Sequence, residues 1–143
     1  METDAATFEA RQHLAAGRPD AAVALLEKAQ REGALTPEAR RLLSQSLVQQ
    51  GKLNAAIDCH QPLLQPDLKQ ADRQARDDAF ALAQMMQMAM YYEDAGRIAR
   101  QLVARDASDL GAVQLLSTLT LWLEGPEAAA AIIGQSADWS EMP

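Results

Sequence analysis

The sequence predicts an all-α fold, a stack of helical hairpins, and three observations carry that expectation. Ala, Leu, Gln, Arg and Glu dominate a chain that is 48% apolar but only 4% aromatic, a mixture that fills helices and leaves sheets without their usual Val, Thr and Tyr. Apolar residues recur at three- and four-residue intervals, as at Leu42, Leu43, Leu47 and Val48, the pattern of one buried helix face. The stretch Gly17-Arg18-Pro19-Asp20-Ala21-Ala22-Val23 returns 34 residues later as Gly51-Lys52-Leu53-Asn54-Ala55-Ala56-Ile57, each copy closing one helical stretch and opening another. The 143 residues hold about four such repeats as one domain, and too little chain for two ordinary domains.

Taken in order, eight helices are expected, in units of roughly 3–36, 37–66, 67–108 and 109–135 with a tail over 136–143. The first covers about Ala5 to Ala16, with Thr3 or Asp4 as N-cap and Gly17 as the left-handed stop. The second opens at Pro19 or Asp20 and ends at Gly33. Thr36-Pro37-Glu38 is a cap, a proline in the first turn and an acid, a strong start signal for the third, which runs to Gly51. The fourth begins near Leu53 or Asn54 and stops between Gln61 and Gln65, because Pro62 and Pro66 exclude a helix interior. Asp67 to Asp78 holds seven charged residues and little to bury, so the fifth helix is expected to start early with an exposed extra turn or two. Its apolar stripe is Phe80, Leu82, Ala83, Met86 and Met90. The sixth spans about Tyr92 or Glu93 to Arg105 and the seventh about Asp109 to Leu123. Gly125-Pro126-Glu127 then opens a short alanine-rich eighth, ending near Gly134. Trp139 is the one tail residue with reason to dock.

A net charge of −7 and a pI near 4.7 count against partners held through phosphates, so neither nucleic acid nor an anionic membrane surface is expected. A basic or apolar partner suits this surface. The acidic start Met1-Glu2-Thr3-Asp4 has no secretory pattern and no run approaches 18 apolar residues, so a soluble, cytoplasmic chain is expected. Cys59 is the only cysteine, which excludes an internal disulfide and fits a reducing compartment.

No set of residues has the spacing of a catalytic or metal site, and neither cofactor nor enzymatic activity is expected. His13 and His60 are the only histidines and fall where a bulky ring would pack between helices, with no second ligand at metal spacing. Glu9 and His13 share a helix face as one weak pair. Cys59 and His60 are adjacent, so on a helix they point about 100° apart and do not form a nucleophile and base. Gly17, Gly51, Gly96, Gly111 and Gly125 are scattered singly, which is no phosphate cradle. Met85, Met86, Met88 and Met90 with Tyr91 and Tyr92 form the most distinctive cluster. Met86 and Met90 fall at packing positions, whereas Met88, Gln84 and Phe80 are candidates for a surface that takes varied apolar ligands.

These residues resemble the tetratricopeptide repeat family, whose 34-residue unit has a large residue, then a small one, then a large one in its first helix, and a small residue followed by a ring in its second. The places are held by Glu9-Ala10, His13, Ala22 and Leu26 in the first copy, and by Leu43-Ser44, Leu47, Ala56 and His60 in the second. Leu82-Ala83, Met86, Ala95 and Ala99 hold them in the third, where Met90 stands in place of glycine. In the fourth, Ala129 or Ala130 takes the small position. A small residue facing a large one lets two helices approach, so Ala10 against Leu26 and Ser44 against His60 are the expected pairs.

The resemblance implies a right-handed solenoid of antiparallel helix pairs whose first helices line a concave groove. Carried over, the groove residues are Thr7, Arg11 and Leu14, then Arg41, Gln45 and Val48, then Phe80, Gln84, Gln87 and Met88. The last set is Leu119 or Thr118 with Leu121 or Trp122. It also implies a non-catalytic scaffold or chaperone for a protein or peptide with apolar anchors. Small acidic chaperones of bacterial secretion systems are the nearest subgroup in size and charge. The subgroup that grips chaperone C-terminal carboxylates has Lys and Asn where this chain has Thr7, Arg11, Leu42 and Phe80, so that assignment is disfavoured. Two alternatives remain. One is a docking or regulatory domain of a larger protein, which could be an enzyme. The other is a homo-oligomer formed through the C-terminal helices, where Leu115, Leu116, Leu119, Leu121, Trp122, Ile132 and Ile133 exceed what one core face needs.

Overall fold

In the computed structural model, which describes residues 2–136 and the side chains of 5–134, every regular element among the described residues is helical. Eight α-helices run in the expected order: α1 (Glu2–Ala15), α2 (Pro19–Arg31), α3 (Pro37–Gln49), α4 (Leu53–His60), α5 (Arg73–Met88), α6 (Tyr92–Arg105), α7 (Leu110–Glu124) and α8 (Pro126–Ser136). Two short 3₁₀ turns, η1 (Gln61–Leu63) and η2 (Leu68–Gln70), lie between α4 and α5. Trp139 and the rest of the tail from 137 lie outside the described residues. The chain gathers into two compact units, Met1–Leu63 and Leu64–Pro143.

In the first unit α1 packs on α2 and on α3, α2 on α3, and α3 on α4. The residues that let these helices approach are small: Ala10, Ala22 and Ala56 are fully buried and Ser44 is 1% exposed. Leu26, opposite Ala10 in the expected pairing, is also fully buried, and Ser44 Oγ lies 3.0 Å from Nδ1 of His60. In the second unit α5 packs on α6, α6 on α7 and α7 on α8. Ala83, Ala95 and Ala99 are fully buried there. Ala129 is buried and Ala130 exposed, which fixes the fourth copy. Ala129 follows Ser117 at the same interval by which Ala22 follows Ala10, Ala56 follows Ser44 and Ala95 follows Ala83.

One turn geometry joins α1 to α2, α3 to α4 and α5 to α6. The N–H groups of Gly17 and Arg18 donate back to the carbonyls of Leu14 and His13, those of Gly51 and Lys52 to Val48 and Leu47, and those of Met90 and Tyr91 to Gln87 and Met86. This pair of crossed bonds caps the orphan carbonyls of the first helix. It requires positive φ at the middle turn residue, which is 74° at Gly17, 78° at Gly51 and 69° at Met90. The last turn residue, Arg18, Lys52 or Tyr91, then serves as N-cap of the next helix with ψ of 69°, 70° and 65°. The first helices of the later pairs start on side-chain caps instead: Thr36, Asp72 and Asp109 accept from the N–H of Ala39, Ala75 and Ala112.

Four expectations change. Thr3 and Asp4 lie inside α1, so neither is its cap. Asp109 is the cap of α7 and not its first residue. The charged stretch divides: Arg73 to Asp78 form the first turns of α5, with Arg73, Gln74 and Asp77 exposed as expected, whereas the segment 67–72 is no part of that helix. It folds as η2, with Leu68 and Ala71 buried and the Arg105 guanidinium of α6 donating to the carbonyls of Leu68 and Lys69. Two apolar residues and one arginine thereby fix a segment that is otherwise polar. Met90 does not pack: it is 72% exposed, because the left-handed turn carries its side chain away from the α5 face that buries Met86.

A side chain in the left-handed region costs about 1–2 kcal/mol, part of which is returned by the lower unfolded-state entropy relative to glycine. Met90→Gly is therefore expected to raise stability by about 0.5–1 kcal/mol in urea denaturation, whereas Gly51→Met is expected to lower it by a similar amount.

Candidate binding surface

Each first helix carries a stripe three residues before, and one and four residues after, its small residue. On α1 these are Thr7, Arg11 and Leu14. Thr7 is 4% exposed and so leaves the candidate surface, since α1 packs against both α2 and α3. Arg11 is exposed and forms an ion pair with Glu38 at the start of α3. Leu14 is half-buried, as are Arg41 and Val48 of α3, while Gln45 is exposed.

On α5 the stripe is Phe80, Gln84 and Gln87, with Gln84 exposed and the other two half-buried. Met88 is 56% exposed. With Ser117 as the small residue of α7, the equivalent positions are Gln114, Thr118 and Leu121. Leu119, a candidate from the alternative register, is fully buried and belongs to the core. Leu121 and Trp122 are 47% and 69% exposed. Trp122 follows Ser117 at the interval by which Met88 follows Ala83, so the two largest exposed apolar side chains of these helices occupy equivalent places. Gln114 was not legible because Ala129 and Ala130 leave the fourth register open in sequence.

Phe80 borders a cleft of about 180 Å³ lined also by Arg73, Arg76, Asp77, Asp109 and Gly111. Its ring comes within 3.5 Å of the place a Cβ on Gly111 would take, so α7 starts beneath the ring. Nearby, the Ser108 hydroxyl and then its N–H donate to Asp106, 2.6 and 3.0 Å away. They hold that carboxyl below its ordinary range, with lesser help from the charges of Arg76 and Arg105. The two arginines of the cleft fall in the stretch that, as sequence, reads only as solvated charge.

The residues with chemical potential are engaged in packing. His60 is 3% exposed and meets Ser44, whose hydroxyl also lies 2.9 Å from the Arg41 carbonyl. A hydroxyl has one proton, so when it donates to Arg41 it accepts from the Nδ1–H of the ring. His13 is half-buried, and its Nδ1 has no partner among the described residues. Among the described residues no three His, Cys, Asp or Glu side chains are grouped so as to hold a metal ion. No described helix is long and apolar enough to cross a membrane. The chain matches no protein-family model and none of the curated proteins compared with it.

Cys59 is buried, its thiol 3.6 Å from the Arg40 carbonyl, while the Arg40 guanidinium donates to the Cys59 carbonyl at 3.1 Å. Burial pushes the thiol pKa up, and the Arg40 charge and hydrogen bond only partly oppose this. A raised folded-state pKa favours the protonated thiol, so its contribution is complete below the unfolded value of about 8.5 and is lost as pH rises through the folded one. Two outcomes are expected. At pH 8 Cys59 should react with a thiol reagent at least about tenfold more slowly in the folded protein than in urea, and Cys59→Ala should flatten the fall in stability measured between pH 8 and 10.

Proposed function

We propose that this chain is a non-catalytic protein- or peptide-binding helical repeat of the tetratricopeptide kind. In this reading it is a solenoid of antiparallel pairs that holds a partner segment against the stripes of its first helices. The observation that carries the reading is the exposure of Met88 and Trp122 at equivalent places on α5 and α7. Each leaves apolar surface in water that would be worth about 25 cal/mol per Å² if covered, and neither is needed by the core beside it. Flexible methionine and a broad indole suit apolar anchors of a bound segment. Support also comes from the recurrence of one turn geometry and one small-residue interval, features that the resemblance to the family rests on.

Affinity capture with crosslinking from native lysate tests this reading, using wild type beside the Met88→Glu, Trp122→Glu double variant. A reproducible protein partner of the wild type is expected, with recovery reduced about tenfold or more in the variant, while the helical circular dichroism of the two is unchanged. The same partners recovered equally by both, or none by either, would contradict it.

A further inference from the structure

At the turn from α5 to α6 lies an open cleft of about 350 Å³, lined by Met90, Tyr91, Tyr92, Glu93, Asp94 and Leu123. We infer that this cleft is a docking site for a basic peptide segment of a partner protein, taking a lysine or arginine side chain with its neighbouring aliphatic residues. Three features of the site support that occupant.

Met90 occupies the place that glycine holds in the turns from α1 to α2 and from α3 to α4, with φ of 69° against 74° and 78°. Its side chain is 72% exposed, so burial does not offset the backbone cost. What methionine adds over glycine here is apolar, deformable surface at the rim of the cleft. Tyr91 and Leu123 extend that surface, 45% and 39% exposed, and suit the aliphatic stem of a long basic side chain.

Charge decides the sign of the occupant. The only ionised side chains in the lining are Glu93 and Asp94. Asp94 already meets Arg97 at 2.7 Å in an exposed pair, which leaves Glu93 as the main carboxylate for a ligand. The chain as a whole carries −7, so an acidic segment is repelled both locally and at range. The chain's own last residues, 137–143, hold two acids and no base, and a second copy carries the same net charge. A foreign basic segment is the occupant whose charge matches.

This site is separate from the α5 and α7 stripe, and the test keeps the two apart. The amide signals of the whole labelled chain are followed by NMR while acetylated, amidated Gly-Leu-Arg-Leu-Gly is added, with Gly-Leu-Glu-Leu-Gly as control. The arginine peptide is expected to shift the signals of residues 90–94 and 123, and the glutamate peptide to leave them in place. Met90→Gly, which should be the more stable protein, is expected to bind the arginine peptide about tenfold more weakly, and Glu93→Gln to weaken it and reduce its salt dependence. Equal shifts with both peptides, or none with either, would overturn the assignment. So would full affinity in Met90→Gly. Shifts confined to Gln84, Met88 and Thr118 would overturn it while supporting the stripe. Shifts of residues 90–94 and 123 in a Trp139→Ala variant without peptide would place the chain's own tail in the cleft, which also overturns it.

Discussion

The structure depends on how closely two successive helices can approach across a three-residue turn. A helix pair of this kind needs a residue with positive φ to reverse the chain and small side chains where the helices meet. Ala10, Ser44 and Ala83 stand seven residues before Gly17, Gly51 and Met90, and Ala22, Ala56 and Ala95 stand five residues after them. Fixed spacing on both sides of the turn means that the turn and the contact are set together. Caps then reinforce the start of the first helix in the later pairs, through Thr36, Asp72 and Asp109, while the second helices begin directly from the turn.

What remains on the outside follows from the same arrangement. With the small residues turned inward, side chains one, four and five residues further along are delivered to the surface or its edge. There the first unit offers Arg11 and Gln45, and the second offers Gln84, Met88, Thr118, Leu121 and Trp122. The turns present their own residues as well. Gly17 and Gly51 present nothing, whereas Met90 and the tyrosines after it place apolar and aromatic groups beside two carboxylates.

Most of the helical order was legible because glycine, proline and the cap residues mark boundaries by strong local rules. Pro19, Pro37 and Pro126 fall in the first turn of α2, α3 and α8, and Gly17, Gly51 and Gly125 all have positive φ. The Ser44–His60 contact was legible for a different reason, since the small-against-large rule names both partners. The interval before α5 was not. Asp67, Lys69 and Asp72 read as a solvated extension, yet Leu68 is 2% exposed and Arg105, 37 residues away, caps its carbonyl. A contact at that separation leaves no local signal. Thr7 and Leu119 were misplaced because a stripe position tells which way a side chain leaves its helix, and not whether a neighbouring helix covers it. The exposure of Met90 was hidden by a turn that accepts methionine where its rule asks for glycine.

Small residues at fixed places thus control the approach of each helix pair. Urea denaturation of Ala95→Leu beside Ala104→Leu, an exposed position of the same helix, tests it most directly. Overpacking a closed contact is expected to cost Ala95→Leu about 1–3 kcal/mol, and the exposed change to stay within about 0.5 kcal/mol of wild type. An Ala95→Leu protein as stable as wild type would show that the helices do not meet at that residue, and would contradict the claim.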